Sequence, residues 1–258
     1  MKIATFNANG IRPRTPIILD WLEKNLPDIL CVQETKVQDP DFPASPFEEI
    51  GYHTVFHGQK SYNGVAILSC KEPESIHFGL ADGLKDDEAR IITAKIGSTN
   101  VVNTYVPQGQ KADSAKFLYK LEWFGRLLNY FSKNFSPETP ILWLGDLNVA
   151  PSPLDVYDPE RLFGSVCFHP EEHKALERIM AAFGFTDIYR KHRLQERAYT
   201  FWDYRIPNAV KRRLGWRIDH ILATAPVAEK SVDAWIDFEP RLLPKPSDHT
   251  FLVAEFRI

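Results

Sequence analysis

Five short apolar runs in this chain end in side chains of one chemical kind. FNANG carries Asn7 and Asn9, VQETK carries Gln33, Glu34 and Lys36, and WLGDLN carries Asp146 and Asn148. RIDH carries Asp219 and His220, and PSDH carries Asp248 and His249. Gathered at one place, they form a site of carboxylates, carboxamides and imidazole with no thiolate among them. Hard oxygen donors in small number suit Mg²⁺, which is held by one or two carboxylates and completes its shell with water and a substrate phosphate. Glu34 is the first candidate for a direct ligand, with Asn7 beside it.

The most specific local signal is Gly145-Asp146-Leu147-Asn148 after the apolar run PILWL. An Asp ending a buried strand can orient or deprotonate a water, and an Asn two residues on can point the same way and donate to a phosphate oxygen. The same spacing also fits an Asx-turn, in which both side chains serve only the local backbone. Ser247, Asp248 and His249 have the residue types of a hydrolytic triad. Adjacent residues do not reach triad geometry, however, and no Gly-x-Ser-x-Gly elbow accompanies them. His249 is better used against a phosphate oxygen, its imidazole held by a carboxylate such as Asp219. His220 reads as a core or surface residue.

Between Tyr189 and Arg217 nine basic residues face two acidic ones, a local charge of +7 in a chain whose net charge is −3. The segment contains YTFWDYR and LGWRID. Basic side chains attract phosphates regardless of sequence, and flat rings stack on or enclose a sugar or base, so this stretch reads as a nucleic-acid surface.

Elements must position these groups, and the composition allows them. The chain has 258 residues, 44% of them hydrophobic and 25% charged, which excludes disorder, collagen and coiled coil. No run of 18 apolar residues marks a membrane span, and no membrane partner is expected. Three widely spaced cysteines form no metal pattern and fit a reducing compartment. Strand-like runs occur at 3–8, 29–34, 52–58, 64–70, 90–96, 100–106, 140–146, 217–224, 232–238 and 251–258. Helices are expected over about 16–25, capped by Thr15 with Pro16 first, over 113–133 with Phe117, Leu121, Phe124, Leu128 and Phe131 in one stripe, and over 170–183, stopping at Gly184. Strands that follow one another with short turns rule out strict βαβ alternation and predict an α+β sandwich with antiparallel or mixed sheets. No linker or repeat divides residues 1–258, so one domain is expected.

The ordered set FNANGIR, DILCVQETK, FHGQKSYNGVAIL, NTYVPQG, WLGDLNVAPSPLDV, TFWDYR, GWRIDHIL and KPSDH resembles the exonuclease III family of abasic-site DNA endonucleases, from Lys2 to the C-terminus. The resemblance implies a four-layer, deoxyribonuclease I-like sandwich of two packed mixed β-sheets flanked by helices. It implies a Mg²⁺-dependent phosphodiesterase, with Mn²⁺ as an alternative ion, that nicks duplex DNA 5′ to an abasic site and removes nucleotides or blocking groups from 3′ ends. Matched position by position, Glu34 and Asn7 hold the metal with Asp248 in support, and Asn9 and Lys36 stand close by. Asp146 and Asn148 prepare the water and contact the phosphate, Tyr105 sits beside the phosphate or leaving oxygen, and His249 with Asp219 forms a phosphate-binding imidazole and its orienting carboxylate. Phe201, Trp216 and Ile218 line the pocket for a flipped-out abasic sugar. The Val-Pro-Gln-Gly after Tyr105 is closer to the bacterial and archaeal pattern, which implies a prokaryotic cytoplasm, nucleoid-associated through DNA; a monomer is expected. The rivals are mainly exonucleolytic action, another phosphoesterase on the same scaffold, and a DNA-binding module without catalysis.

Overall fold

The computed structural model describes residues 1–84 and 88–258. Its strands in chain order are β1 (Lys2–Asn7), β2 (Ile29–Gln33), β3 (His53–His57), β4 (Val65–Ser69), β5 (Ser75–Phe78), β6 (Ile91–Ile96), β7 (Thr99–Tyr105), β8 (Ile141–Asp146), β9 (Thr186–Asp187), β10 (Asp219–Ala223), β11 (Ser231–Asp237) and β12 (Phe251–Phe256). The helices are α1 (Ile11–Asn25), α2 (Ser45–Glu49), α3 (Ala115–Asn134), α4 (Pro159–Leu162), α5 (Pro170–Phe183), α6 (Ile188–His192) and α7 (Ala225–Ala228).

The strands form two six-stranded sheets in the orders β11-β12-β1-β2-β4-β3 and β5-β6-β7-β8-β10-β9. Each sheet is antiparallel except for one parallel pair, β1 with β2 and β7 with β8, so both are mixed as expected. Side chains alternate across a strand, and this sorts the core. Ile3, Ile29, Cys31 and Ile67 of the first sheet meet Ala94, Val101, Leu142, Leu144 and Ile221 of the second between the sheets. Ala4, Phe6, Leu30 and Val253 face the other way, onto Ile18, Trp21 and Leu22 of α1. Val102, Ile141 and Trp143 turn outward onto Phe124, Leu127 and Phe131 of α3 and Leu176 and Ile179 of α5. Helix, sheet, sheet and helix make the four layers of the α+β sandwich.

Three expectations need correction. First, α1 opens at Ile11 rather than at Pro16. Its entry is secured by Gly10 N–H donating to Glu34 O at 2.7 Å and Ile11 N–H to Thr35 O at 3.0 Å, so a neighbouring strand end, not Thr15, satisfies the first donors. Thr15 lies inside the helix and its hydroxyl donates to Ile11 O at 3.0 Å. Second, the buried face of α3 is rotated from the expected stripe: Leu121 and Leu128 are half-buried, and Lys120, Trp123 and Leu127 take the inner positions. Third, β5 and β9 were not expected. β5 is only four residues long and, although Ile76 and Phe78 alternate with Ser75 and His77, all four side chains are exposed; β9 has only two residues. Helix α5 spans Pro170–Phe183 as expected and ends at Gly184 in the left-handed conformation.

Candidate active site

The alternation that fills the core also delivers the site. Continuing the inward row Ile3-Thr5 along β1 reaches Asn7, and Leu142-Leu144 along β8 reaches Asp146. On β10 the inward set of Asp219, Ile221 and Ala223 begins with Asp219, while His220 takes the opposite face. Register then aligns them: Asn7 pairs with Gln33, Tyr105 with Asp146, and Asp146 with Asp219. Gly145 (φ 135°) is what lets β8 lie so close to β7 just before Asp146, since a Cβ there would fall 2.0 Å from Thr104 O.

Glu34 follows β2 at φ 50°, and Asn9, Lys36 and Asn148 have φ of 46°, 55° and 51°. Backbone held in the sparsely populated left-handed region collects where a surrounding structure over-determines it, commonly at functional sites. The Asn7 amide donates to Glu34 Oε1 and to Asp146 Oδ2, each at 2.8 Å, and its Oδ1 accepts from Asn9 N–H at 2.9 Å. Lys36 pairs with Glu34 at 2.8 Å and also donates to the Asn9 side chain. Asp146 Oδ1 accepts from Asn148 N–H at 2.9 Å, so the Asx-turn foreseen as an alternative does form while the other oxygen serves the cluster. The Asn148 amide donates to Val106 O at 2.9 Å. His249 Nδ1 lies 2.8 Å from Asp219 Oδ2, and its Nε2 lies 3.8 Å from Asp146 Oδ2. Asp248 stands apart, accepting from the Asn9 amide at 2.9 Å.

The electrostatics are uneven. Burial, with the charges of Asp219 and Glu34 added, raises the Asp146 carboxyl to about 8 against the pull of the His249 charge and the Asn7 hydrogen bond. Burial disfavours charge on His249, but the charge and hydrogen bond of Asp219 and the charges of Asp146 and Asp248 outweigh it and raise the imidazole to about 10. Burial also opposes ionisation of Glu34, yet Lys36 and the Asn7 hydrogen bond hold it below its usual range. Burial and the nearby Glu34 and Asp146 push the Tyr105 phenol well up.

Among the described residues, one oxygen each of Glu34 and Asp146 and one nitrogen of His249 lie within 4.8 Å of one another. Asp219 Oδ1, buried beside them, accepts no hydrogen bond. A carboxylate-rich, thiolate-free donor set with a carboxylate oxygen left over fits a small, hard divalent cation such as Mg²⁺.

The cluster opens into a cavity of about 380 Å³ that Glu34, Asp146 and His249 line on one side and Phe201, Trp216, Ile218, Tyr157, Leu162 and Val166 on the other, with Asp203 and Arg205 also reaching it. Phe201 pairs with both Trp216 and His249 as isolated bridges, and its ring lies 4.8 Å from the His249 ring, which ties the pocket wall to the polar cluster. The basic segment is less available than its charge suggests. Arg217 is fully buried against Asp155 and Asp187 and Arg190 pairs with Asp155, whereas Arg197, Lys211, Arg212 and Arg213 are exposed, as is Arg205 although it pairs with Asp203. His220 is a core residue, as expected: its Nε2 bonds Val149 O at 2.8 Å.

Gln108 and Cys167 line the cavity, and no sequence signal pointed to either. The Cys167 thiol lies 3.8 Å from Asn148 Oδ1, and burial pushes it up to about 12. Lys120 and Glu172, buried behind Asn148, were also missed. A signal existed for Lys120, which sits three residues after Phe117 and four before Phe124, on the apolar face of α3.

The model of the Endonuclease/Exonuclease/phosphatase family matches residues 4–249. Exodeoxyribonuclease III of Haemophilus influenzae is 38% identical over 269 aligned positions, covering 100% of both chains. An AP endonuclease from Archaeoglobus fulgidus superposes with a TM-score of 0.96 at 50% identity, covering 100% of both chains. A 3′ phosphatase from Neisseria bound to a product DNA hairpin superposes with a TM-score of 0.95 at 37% identity, again covering 100% of both.

Proposed function

Because the chain belongs to the endonuclease/exonuclease/phosphatase family, in its exonuclease III group, we propose that it is a Mg²⁺-dependent DNA phosphodiesterase that cleaves duplex DNA 5′ to abasic sites and trims or dephosphorylates 3′ ends. One observation carries this reading: the proton-handling pair Asp146 and His249, the donor set around Glu34, and an aromatic pocket meet at one edge of the two sheets.

Glu34 and Asn7 would hold the cation, with Asp248 supporting them through Asn9. His249 is paired with Asp219 at 2.8 Å and keeps its proton, so it suits a phosphate oxygen better than a metal. When bound, Mg²⁺ supplies positive charge against the negative charge that builds up on the phosphate. Asp146 orients the attacking water and accepts its proton, with one oxygen fixed by Asn148 N–H and the other by Asn7. The His249 imidazolium and the Asn148 amide face the phosphate oxygens. Tyr105, kept protonated, stands beside the leaving oxygen, and the guanidinium of Arg90 lies 5.0 Å from its ring. Asn9 and Lys36 hold Glu34 in place on the substrate side.

Phe201, Trp216 and Ile218 receive the extruded sugar. A nucleotide without a base leaves the stack at lower cost, and a narrow apolar pocket excludes one that still carries its base. The exposed Arg197, Lys211, Arg212 and Arg213 supply attraction to the backbone. Both sheets contribute to the site, which supports reading residues 1–258 as one catalytic domain. Among the described residues no helix is long and apolar enough to cross a membrane. The free cysteines, one of them exposed, support a reducing compartment.

The test is an end-labelled duplex with one synthetic abasic site, incubated with Mg²⁺ or with chelator beside an intact duplex. A single nick 5′ to the site in Mg²⁺ alone is expected, with a loss of at least ~10²-fold for Asp146→Asn or Glu34→Ala. Cleavage that survives chelation overturns the metal assignment. A ladder of equal strength on the intact duplex would make 3′-5′ exonuclease the main activity, a reading favoured by the exodeoxyribonuclease III relative.

A further inference from the structure

The turn that follows Asp146 is gripped from behind by three side chains from three elements. Lys120 Nζ on α3 donates to Asn148 O at 2.7 Å, His220 Nε2 on β10 to Val149 O at 2.8 Å, and His173 Nε2 on α5 to Ala150 O at 2.9 Å. Three consecutive carbonyls thus each receive a side-chain donor. His220 is fixed in the donating tautomer because its Nδ1 faces Arg217 Nη1 at 3.1 Å, and a guanidinium can only donate.

Lys120 is the centre of this clamp. Its side chain and that of Glu172 are both fully buried, and they pair with each other. The third Lys120 donor reaches Gln108 O at 3.4 Å. Glu172 spends its other oxygen on His169 N–H at 3.1 Å, which caps α5 and fixes the carboxylate. Lys120 therefore ties together the two loops that carry the proposed chemistry, one after β7 behind Tyr105 and one after β8 behind Asp146 and Asn148. Replacing a buried ion pair by apolar residues of similar volume is often neutral for stability, so stability alone does not call for this pair. The backbone of Asn148 does call for a holder, since its φ of 51° is costly for a non-glycine residue.

We propose that Lys120, held by Glu172, is a positioning residue for phosphodiester hydrolysis: it pins the Asn148 carbonyl and so keeps the Asp146–Asn148 turn aimed at the substrate phosphate. The inference rests on the reading of Asp146 and Asn148 as catalytic. Its reach is set by geometry, because displacement of a reacting group by about 1 Å can cost on the order of 10²-fold in rate.

The test compares single-turnover cleavage of the abasic duplex at saturating enzyme, DNA affinity measured in chelator, and thermal midpoint. The double variant Lys120→Met/Glu172→Leu removes the charge pair without stranding one partner. Its cleavage rate is expected to fall about 10²-fold with DNA affinity within about threefold of the wild type. Glu172→Gln, which leaves an acceptor for Lys120, is expected to retain most of the rate. If Lys120 acts through Asn148, the double change costs little more once Asn148→Ala is present, because coupled residues are not additive. A folded double variant that cleaves at the wild-type rate, or losses that multiply independently of Asn148→Ala, overturns the proposal. Should the double variant fail to fold, His173→Leu on the half-buried face of α5 takes its place: a severalfold slower rate at unchanged affinity supports the clamp and an unchanged rate overturns it. Asn148→Ala separates the two readings. If it cleaves normally, the catalytic assignment has failed; if it is inactive while the clamp variants are normal, only the clamp has failed.

Discussion

Two buried clusters of ionisable groups meet the N-terminal end of β10, and they are built on opposite plans. Arg217, two residues before the strand's first residue, lies between Asp155 at 2.7 Å and Asp187 at 2.8 Å, with Arg190 also on Asp155 at 2.5 Å. Both oxygens of each carboxylate have donors: Arg217, Arg190 and the Ser152 backbone and hydroxyl on Asp155, Arg217 and Arg190 N–H on Asp187. Although burial opposes it, the Arg217 charge holds both carboxyls below their ordinary range. Asp219 opens the other cluster, where Glu34, Asp146 and Asp219 face His249 and Lys36, one carboxylate oxygen has no donor, and Asp146 is raised to about 8. Matched charges make the first a fastener. Surplus negative charge makes the second a receptor for a cation.

The comparison breaks first on Arg217. Arg217→Met leaves Asp155 and Asp187 buried without their main partner, and removing one member of a buried pair costs about 3–5 kcal/mol. A urea unfolding midpoint measures the loss, and a change under 1 kcal/mol would show that the fastener is dispensable. Because Trp216 and Ile218 flank Arg217, affinity for the abasic duplex should fall as well.

Adding the ion tests the other half. If the catalytic cluster carries surplus charge, Mg²⁺ binds the folded chain and stabilises it by about 2.7 kcal/mol at a concentration a hundred times its dissociation constant. For a protein of this size that is a rise of roughly 5–11 °C in thermal midpoint. Glu34→Ala should abolish most of the rise, while Arg217→Met should keep it on its lowered baseline. An equal Mg²⁺ response in Glu34→Ala and the wild type would place the ion elsewhere.

The receptor was more legible in the sequence than the fastener, for a physical reason. Its members end apolar strand runs, so a period of two carries Leu142 and Leu144 to Asp146 and Ile3 to Asn7, and the polar ends are visible without knowing the pairing. Parity also explains why His220 belongs to the core while its neighbour Asp219 serves the site. The fastener draws Asp155 from a single 3-10 turn (Pro153–Asp155), Asp187 from a two-residue strand and Arg217 from inside a basic run, where solvated and buried arginines look alike. Lys120 stands on the apolar stripe of α3, where its spacing marks it, whereas Glu172 lies in the first turn of α5, where an acidic residue also serves the helix N-terminus and its buried role is not visible. The start of α1 was misplaced because its first donors are satisfied by the chain after β2, a contact no local pattern contains.

The smallest effect separates the clusters by sign. Asp146 has a folded pKa raised to about 8 from an ordinary 3.8, so between those values the folded chain binds the proton more tightly than the unfolded one, and stability falls as pH rises. Asp155 and Asp187 are lowered, so their contribution is complete above about pH 4 and is lost as pH falls through their folded values. In chelator, Asp146→Asn removes the first slope. His249, raised to about 10 in part by the Asp146 charge, adds a falling slope above its ordinary 6.5 that the substitution also weakens, so the difference between the two proteins reports Asp146 alone only below that value. Asp146→Asn should therefore match the wild type near pH 4 and exceed it at pH 8 by at least about 1.4 kcal/mol, the equivalent of a single pKa unit. Saturating Mg²⁺ should erase or reverse the gain, because the cation relieves in the wild type the repulsion that the substitution removes. Parallel stability curves for the two proteins in chelator from pH 5 to 8 would mean that Asp146 carries no excess repulsion, and the catalytic cluster would then be as balanced as the one around Arg217.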